Sequence, residues 1–144
     1  MSEASDPLYR KALLRLAADA TGAGHLPIPQ ARATASNPAC GDTVTMELTM
    51  DGGRIAALAH DTHACILTQA SAAILATAAP GLDAAALARL EEGVRAMLKQ
   101  GAPPPLPPYH AFDGAAAIPG RHVCVLLPFQ ALRQALEEHR PGKV

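Results

Sequence analysis

The stretch from Thr62 to Leu82 contains no Lys, Arg, Asp or Glu. A segment of that length without a charged face has nothing to offer water, so it has to be surrounded by the rest of the chain. It is not a membrane span, because His63, Thr68, Gln69, Ser71, Thr77 and Pro80 interrupt it. Its Ala- and Leu-rich composition predicts a helix, with Thr62 as N-cap, running to about Ala78 and ended by Pro80-Gly81. The fold must therefore be built around one central, buried helix.

Sheet strands precede this helix. Val44, Met46, Leu48 and Met50 alternate with Thr43, Thr45, Glu47 and Thr49, so Thr43–Met50 is expected to be a strand with one apolar face. Asp51-Gly52-Gly53 supplies a hairpin turn, and Arg54–His60 is the returning strand. Ala31–Ser36 is a further short strand. Pro7–Ala20 reads as a helix from the spacing of Leu8, Ala12, Leu13, Leu16 and Ala20. Residues 21–30 form a loop. Asp83 caps another helix that runs to Lys99, with Leu87, Leu90, Val94 and Met97 as its apolar stripe and Gly101 as its stop. Residues 102–108 hold five prolines and form an extended connector. Pro119 is expected to open a last helix reaching about His139, and Pro128 to kink it by removing the bond to the Cys124 carbonyl. Strands followed by helices predict an α+β domain, a small antiparallel sheet covered by helices, with all 144 residues in one unit.

Composition excludes several classes. The chain is 49% hydrophobic but only 3% aromatic and lacks Trp, so its core should be built from Ala, Leu, Val, Ile and Met. Net charge is -1, with no basic block, which argues against nucleic acid as a partner. The start, Met-Ser-Glu-Ala-Ser-Asp-Pro, has neither the basic nor the apolar part of a signal peptide. A cytoplasmic protein without membrane attachment is expected. Three cysteines cannot all pair within one chain, and without export they point to metal or catalysis rather than disulfides.

Cys40 and Asp42 lie two apart in Asn37-Pro38-Ala39-Cys40-Gly41-Asp42, so on extended backbone they point the same way and can share a divalent metal. Gly41 between them allows close backbone approach to a ligand. Cys65 falls in the first turn of the charge-free helix, where unpaired amides and the helix dipole favour a thiolate. Cys124 follows Arg121 and His122 early in the last helix, and Arg121 can stabilise its thiolate. Each cysteine alone is as well explained as a core or turn residue. His63 is a possible extra ligand but is better read as solvent-facing. His122 points away from Cys124 on a helix, and His25, His60, His110 and His139 are expected to be solvated.

Together these residues resemble a known family. Asn-Pro-x-Cys-Gly-Asp, a strand hairpin, a Cys opening a small-residue helix with Ala70-Ser71, and a Cys on the last helix look like the NifU, IscU and SufU scaffolds. The wide gap from Cys65 to Cys124 and the placing of Arg121 resemble the SufU branch. The resemblance implies a three-stranded antiparallel sheet packed against helices. It implies that Cys40, Asp42, Cys65 and Cys124 hold zinc, iron or a 2Fe-2S cluster. It further implies a sulfur acceptor, Cys124, taking persulfide sulfur from a SufS-like cysteine desulfurase and serving recipient apoproteins, with zinc-dependent sulfurtransferase activity open, in a monomer or weak dimer. Ala64 precedes Cys65 where the family usually has Gly.

Two other classes compete. A structural zinc protein would use the same four ligands only to hold the fold, although the paired Cys-x-x-Cys knuckles common in such sites do not occur. A cysteine hydrolase would use Cys65 as nucleophile with His122 or His63 as base, and leaves the other two cysteines without a role.

Overall fold

A computed structural model describes residues 7–39 and 41–139. The element order is α1 (Pro7–Asp19), β1 (Ala31–Asn37), β2 (Asp42–Asp51), β3 (Arg54–His63), α2 (Ile66–Ala78), α3 (Ala84–Gln100), 3-10 segments Pro107–Ala117 and Pro119–Arg121, and α4 (His122–His139). The three strands form one antiparallel sheet in the order β1-β2-β3. The expected α+β architecture is therefore present.

The alternation in β2 does what its pattern demands. Val44, Met46 and Leu48 are fully buried and meet Ala35, Ala33 and Ala31 across β1. Helix α4 packs over β1 and β2, and α2 packs on β3, α1 and α4. The other sheet face carries Thr34 and Thr45, whose hydroxyls bond each other at 2.7 Å. It also carries Glu47, which is buried there because the 21–30 loop folds back over it. Glu47 accepts from the Leu26 amide at 2.8 Å and lies 3.0 Å from His25 Nδ1. The free edge of β3 is covered by the same loop, with Gly24 N–H donating to the His60 carbonyl and His60 N–H to the Gly22 carbonyl, both at 2.9 Å. Covering that edge removes a site for unwanted strand pairing.

Several boundaries differ from the sequence expectation. Strand β3 continues to His63, because Thr62 pairs with Val44 and His63 with Thr43. Thr62 is thus a strand residue rather than a cap, and Cys65 itself is the N-cap of α2, with extended backbone at φ -67°, ψ 170°. Helix α4 begins at His122, since Pro119–Arg121 forms a 3-10 turn instead of its first turn. The helix expected to include Ala20 ends at Asp19, and Ala20 leaves it with φ 48°. On α1, Leu13 is buried, and Ala12 and Leu16 are partly so; the Leu8 side chain lies outside the described part. On α3 the reading holds: Asp83 accepts from the Ala86 amide at 2.8 Å, Gly101 ends the helix at φ 73°, and Leu87, Leu90, Val94 and Met97 are buried.

The core corrects two readings. It is not purely aliphatic, because Tyr109, Phe112 and Phe129 are among its largest fully buried side chains, with ring centroids 6.1 and 6.4 Å from Tyr109. The Pro107–Ala117 turn delivers Tyr109 and Phe112 inward, which a reading of the prolines as mere connector misses. His60 is buried, not solvated. It sits opposite Met46 on the inner sheet face, with Nε2 2.9 Å from the Thr21 carbonyl and Nδ1 2.8 Å from Thr62 Oγ1. Burial holds its pKa below the usual histidine value despite the Thr21 carbonyl and nearby Asp61. Among the described residues, no helix is long and apolar enough to cross a membrane.

Candidate metal centre

Three elements bring chemistry to one point. The β1–β2 connection, residues 38–41, closes with the Gly41 amide on the Asn37 carbonyl at 2.9 Å. Gly41 has φ 74°, and a Cβ there would meet nothing within 4 Å, so the position asks for a left-handed conformation rather than for space. Asp42 starts β2 on its inward-facing side and is buried. Cys65 stands at the N-terminus of α2, half-buried, and Cys124 lies in the first turn of α4, 2% exposed.

The ligand atoms of Asp42, Cys65 and Cys124 all lie within 4.8 Å of one another. Both cysteines are free thiols. Asp42 Oδ2 is buried and has no hydrogen-bond partner. A buried carboxylate oxygen without a donor is costly unless something cationic satisfies it. Two sulfurs and one such oxygen form a donor set that suits zinc or iron, so the residues present fit a metal. Cys40, the fourth expected ligand, lies outside the described residues.

The two thiols differ. Burial works to raise the Cys65 thiol, but the Thr68 and Leu67 amides at the helix start and the neighbouring Cys124 thiol act against it, and its pKa falls. Burial raises the Cys124 thiol, and sharing a proton with Cys65 raises it further, while Arg121 pulls it down without prevailing. Arg121 thus acts on Cys124 in the expected direction, while burial and the neighbouring Cys65 act the other way.

Two hydroxyls of α2 to which the sequence assigns no role in the site bond the backbone at the start of α4. Thr68 Oγ1 donates to the Cys124 carbonyl at 2.9 Å and touches Cys65 Sγ at 3.5 Å. Ser71 Oγ donates to the Val125 carbonyl at 2.6 Å. The signal was present as two hydroxyls spaced three apart on a buried helix, since buried hydroxyls require acceptors. The histidines fall elsewhere. His63 is exposed and pairs with Asp61 at 3.0 Å, and His122 is buried with Nε2 3.1 Å from the Ala116 carbonyl.

Beside the thiols lies an apolar groove of about 250 Å³ between α1, the start of α2 and the 3-10 turns. Leu14, Ile66 and Ile118 are exposed along it, and Arg121 stands at its rim.

The comparisons with known proteins agree with this geometry. Residues 8–112 match the NifU-like N terminal domain family. The structure of a nitrogen-fixing NifU-like protein (N-terminal) from Brucella abortus is 30% identical, with TM-score 0.85, over 96% of this chain and 98% of that one. That of a proposed iron–sulfur cluster assembly scaffold protein for the SUF system from Fervidobacterium islandicum AW-1 shares the fold at 22% identity, with TM-score 0.80, over 92% of this chain and 99% of that one. No curated protein matches the sequence. The fold and site define a NifU-like type of domain, and the chain belongs to the NifU-like N terminal domain family.

Proposed function

We propose that this protein is a sulfur-accepting scaffold whose metal site is made by Asp42, Cys65 and Cys124 together with Cys40. One observation carries the reading: the buried Asp42 Oδ2 has no hydrogen-bond partner and belongs to a carboxylate within 4.8 Å of both thiols. Zinc or iron there supplies a Lewis acid that holds the cysteines as thiolates, and a 2Fe-2S cluster is the cargo assembled on the same ligands. A cysteine desulfurase of the SufS type presents a persulfide, R–S–SH. A thiolate of the scaffold attacks the outer sulfur, the S–S bond breaks, and the desulfurase leaves as R–S⁻. The sulfur then serves cluster assembly for recipient apoproteins.

Cys124 is the proposed acceptor, with Arg121 beside it to stabilise the thiolate. A second reading places the sulfur on Cys65, and the lowered thiol and greater exposure of Cys65 favour it. A purely structural zinc site is less suitable, because Cys65 is not enclosed and the fold has a continuous apolar core of its own. Metal analysis with a visible spectrum of anaerobically purified protein is the test. Zinc or iron bound to the wild type, and lost from Asp42→Ala or Cys65→Ser, supports the site. Equal metal content in these variants overturns it.

A further inference from the structure

Helix α4 contains an internal proline, Pro128, four residues after Cys124. In an unbroken helix the amide at position 128 would bond the Cys124 carbonyl, and proline has no N–H to offer. A buried carbonyl left in this way needs another donor. The Thr68 hydroxyl fills that need at 2.9 Å, reaching across from α2.

Thr68 is fully buried, so its hydroxyl has no water to turn to. A threonine in a helix often bonds the carbonyl four residues back. Here that carbonyl, on Ala64, is taken by Gln69 Nε2 at 2.9 Å. The hydroxyl carries one hydrogen, and the Cys124 carbonyl can only accept it. The same oxygen touches Cys65 Sγ at 3.5 Å. A single side-chain atom thus contacts the backbone of one cysteine and the sulfur of the other.

We infer that Thr68 is a positioning residue which fixes the distance between the Cys65 and Cys124 sulfurs by tethering the proline-freed Cys124 carbonyl to α2. This rests on the reading of the two cysteines as ligands of one site. Without the tether, the first turn of α4 is free to move away from the start of α2. Ser71 holds the next carbonyl, at Val125, and not that of a cysteine.

The test reads the spacing without a metal. In a Cys40→Ser chain only Cys65 and Cys124 remain, and phenylarsine oxide, a trivalent arsenical that bridges two nearby thiols, reports their separation. Thr68→Val keeps shape and removes the hydroxyl; it should weaken arsenical bridging roughly 10- to 100-fold, as loss of an outer-shell partner does for metals. Thr68→Ser should restore it. Adding Pro128→Ala to Thr68→Val gives the Cys124 carbonyl a helical donor again, and should recover thermal stability but not bridging. Bridging unchanged in Thr68→Val, or recovered together with stability in the double variant, would mean that Thr68 only satisfies a carbonyl, and overturns the inference. Zinc affinity of the same Thr68 variants in the natural chain is measured in parallel. If the wild type binds no zinc while bridging still follows Thr68, the metal-site reading fails and the positioning role stands.

Discussion

Ser71 and Val125 are joined by a 2.6 Å hydrogen bond, one helical turn beyond the bond between Thr68 and Cys124. The two bonds look alike but differ in consequence. The Val125 carbonyl still has the Phe129 amide available within α4, whereas the Cys124 carbonyl lost its helical donor to Pro128. Ser71→Ala should therefore cost only the net worth of one hydrogen bond, about 0.5–1.5 kcal/mol. Thr68→Val leaves a buried acceptor alone and should cost more, about 1–3 kcal/mol. Urea unfolding of the two variants checks the order. A larger loss in Ser71→Ala would count against the role given to Pro128.

The same pair shows where sequence reading stopped. Removal of a bond at Cys124 by Pro128 is legible in the sequence, and with it a kink in the last helix. The hydroxyl that replaces the bond comes from another helix, and contacts across the fold leave no mark on local periodicity. What was legible depended on short-range patterns. The alternation in β2, the Asp83 cap and the α3 stripe each follow from residues within a few positions of one another. Thr62 is a good cap residue by type, yet pairing with Val44 holds it in the strand, so α2 starts later than local pattern suggests. Tyr109 and Phe112 were lost behind the prolines, since 3-10 turns have no strong apolar period. Asp42, Cys65 and Cys124 are far apart in the chain, and only the fold puts their ligand atoms within 4.8 Å of one another.

His60 predicts a pH dependence. Its folded pKa lies below the unfolded value because burial disfavours the cation. As pH falls through about 6.5, the unfolded histidine takes up a proton and the folded one does not. The unfolded state then binds more protons, and stability drops with falling pH. The contribution is fully present above the unfolded pKa and is lost as pH falls toward the depressed folded pKa. His60→Gln should lose this part of the slope between about pH 7 and 5. Parallel slopes for both proteins in that window would disprove it.

Asp42 should act in opposite directions with and without metal. In the metal-free protein its Oδ2 is a buried group without a partner, so Asp42→Asn should leave stability unchanged or raise it, by up to about 1–3 kcal/mol. Zinc held by Asp42, Cys65 and Cys124 should stabilise the wild type, since it would bind only the folded state, and the variant should gain much less. A carboxylate is a harder, more exchangeable ligand than a thiolate, so Asp42→Ala should also slow release of an assembled cluster to an apoprotein. Melting temperatures with and without zinc, and transfer rates followed by absorbance, are the measurements. Equal zinc-induced shifts in variant and wild type would remove Asp42 from the site.

The last prediction concerns which sulfur receives the persulfide. Two physical arguments pull apart. In the metal-free protein the start of α2 lowers the Cys65 thiol while burial raises that of Cys124, which favours attack by Cys65. Once both are thiolates on a metal, that difference in protonation disappears. Arg121, beside Cys124, would then favour that thiolate over the one on Cys65. Zinc-loaded protein incubated with a cysteine desulfurase and cysteine should carry its added sulfur mainly on Cys124, and Cys124→Ser should lose most of it. Metal-free protein should shift the label toward Cys65. Arg121→Gln should reduce uptake by the zinc-loaded form more than by the metal-free form. Mass mapping of the sulfane sulfur in each state distinguishes these outcomes. Label on Cys65 in the zinc-loaded state, with Cys124→Ser still fully able to accept sulfur, would move the acceptor to the start of α2.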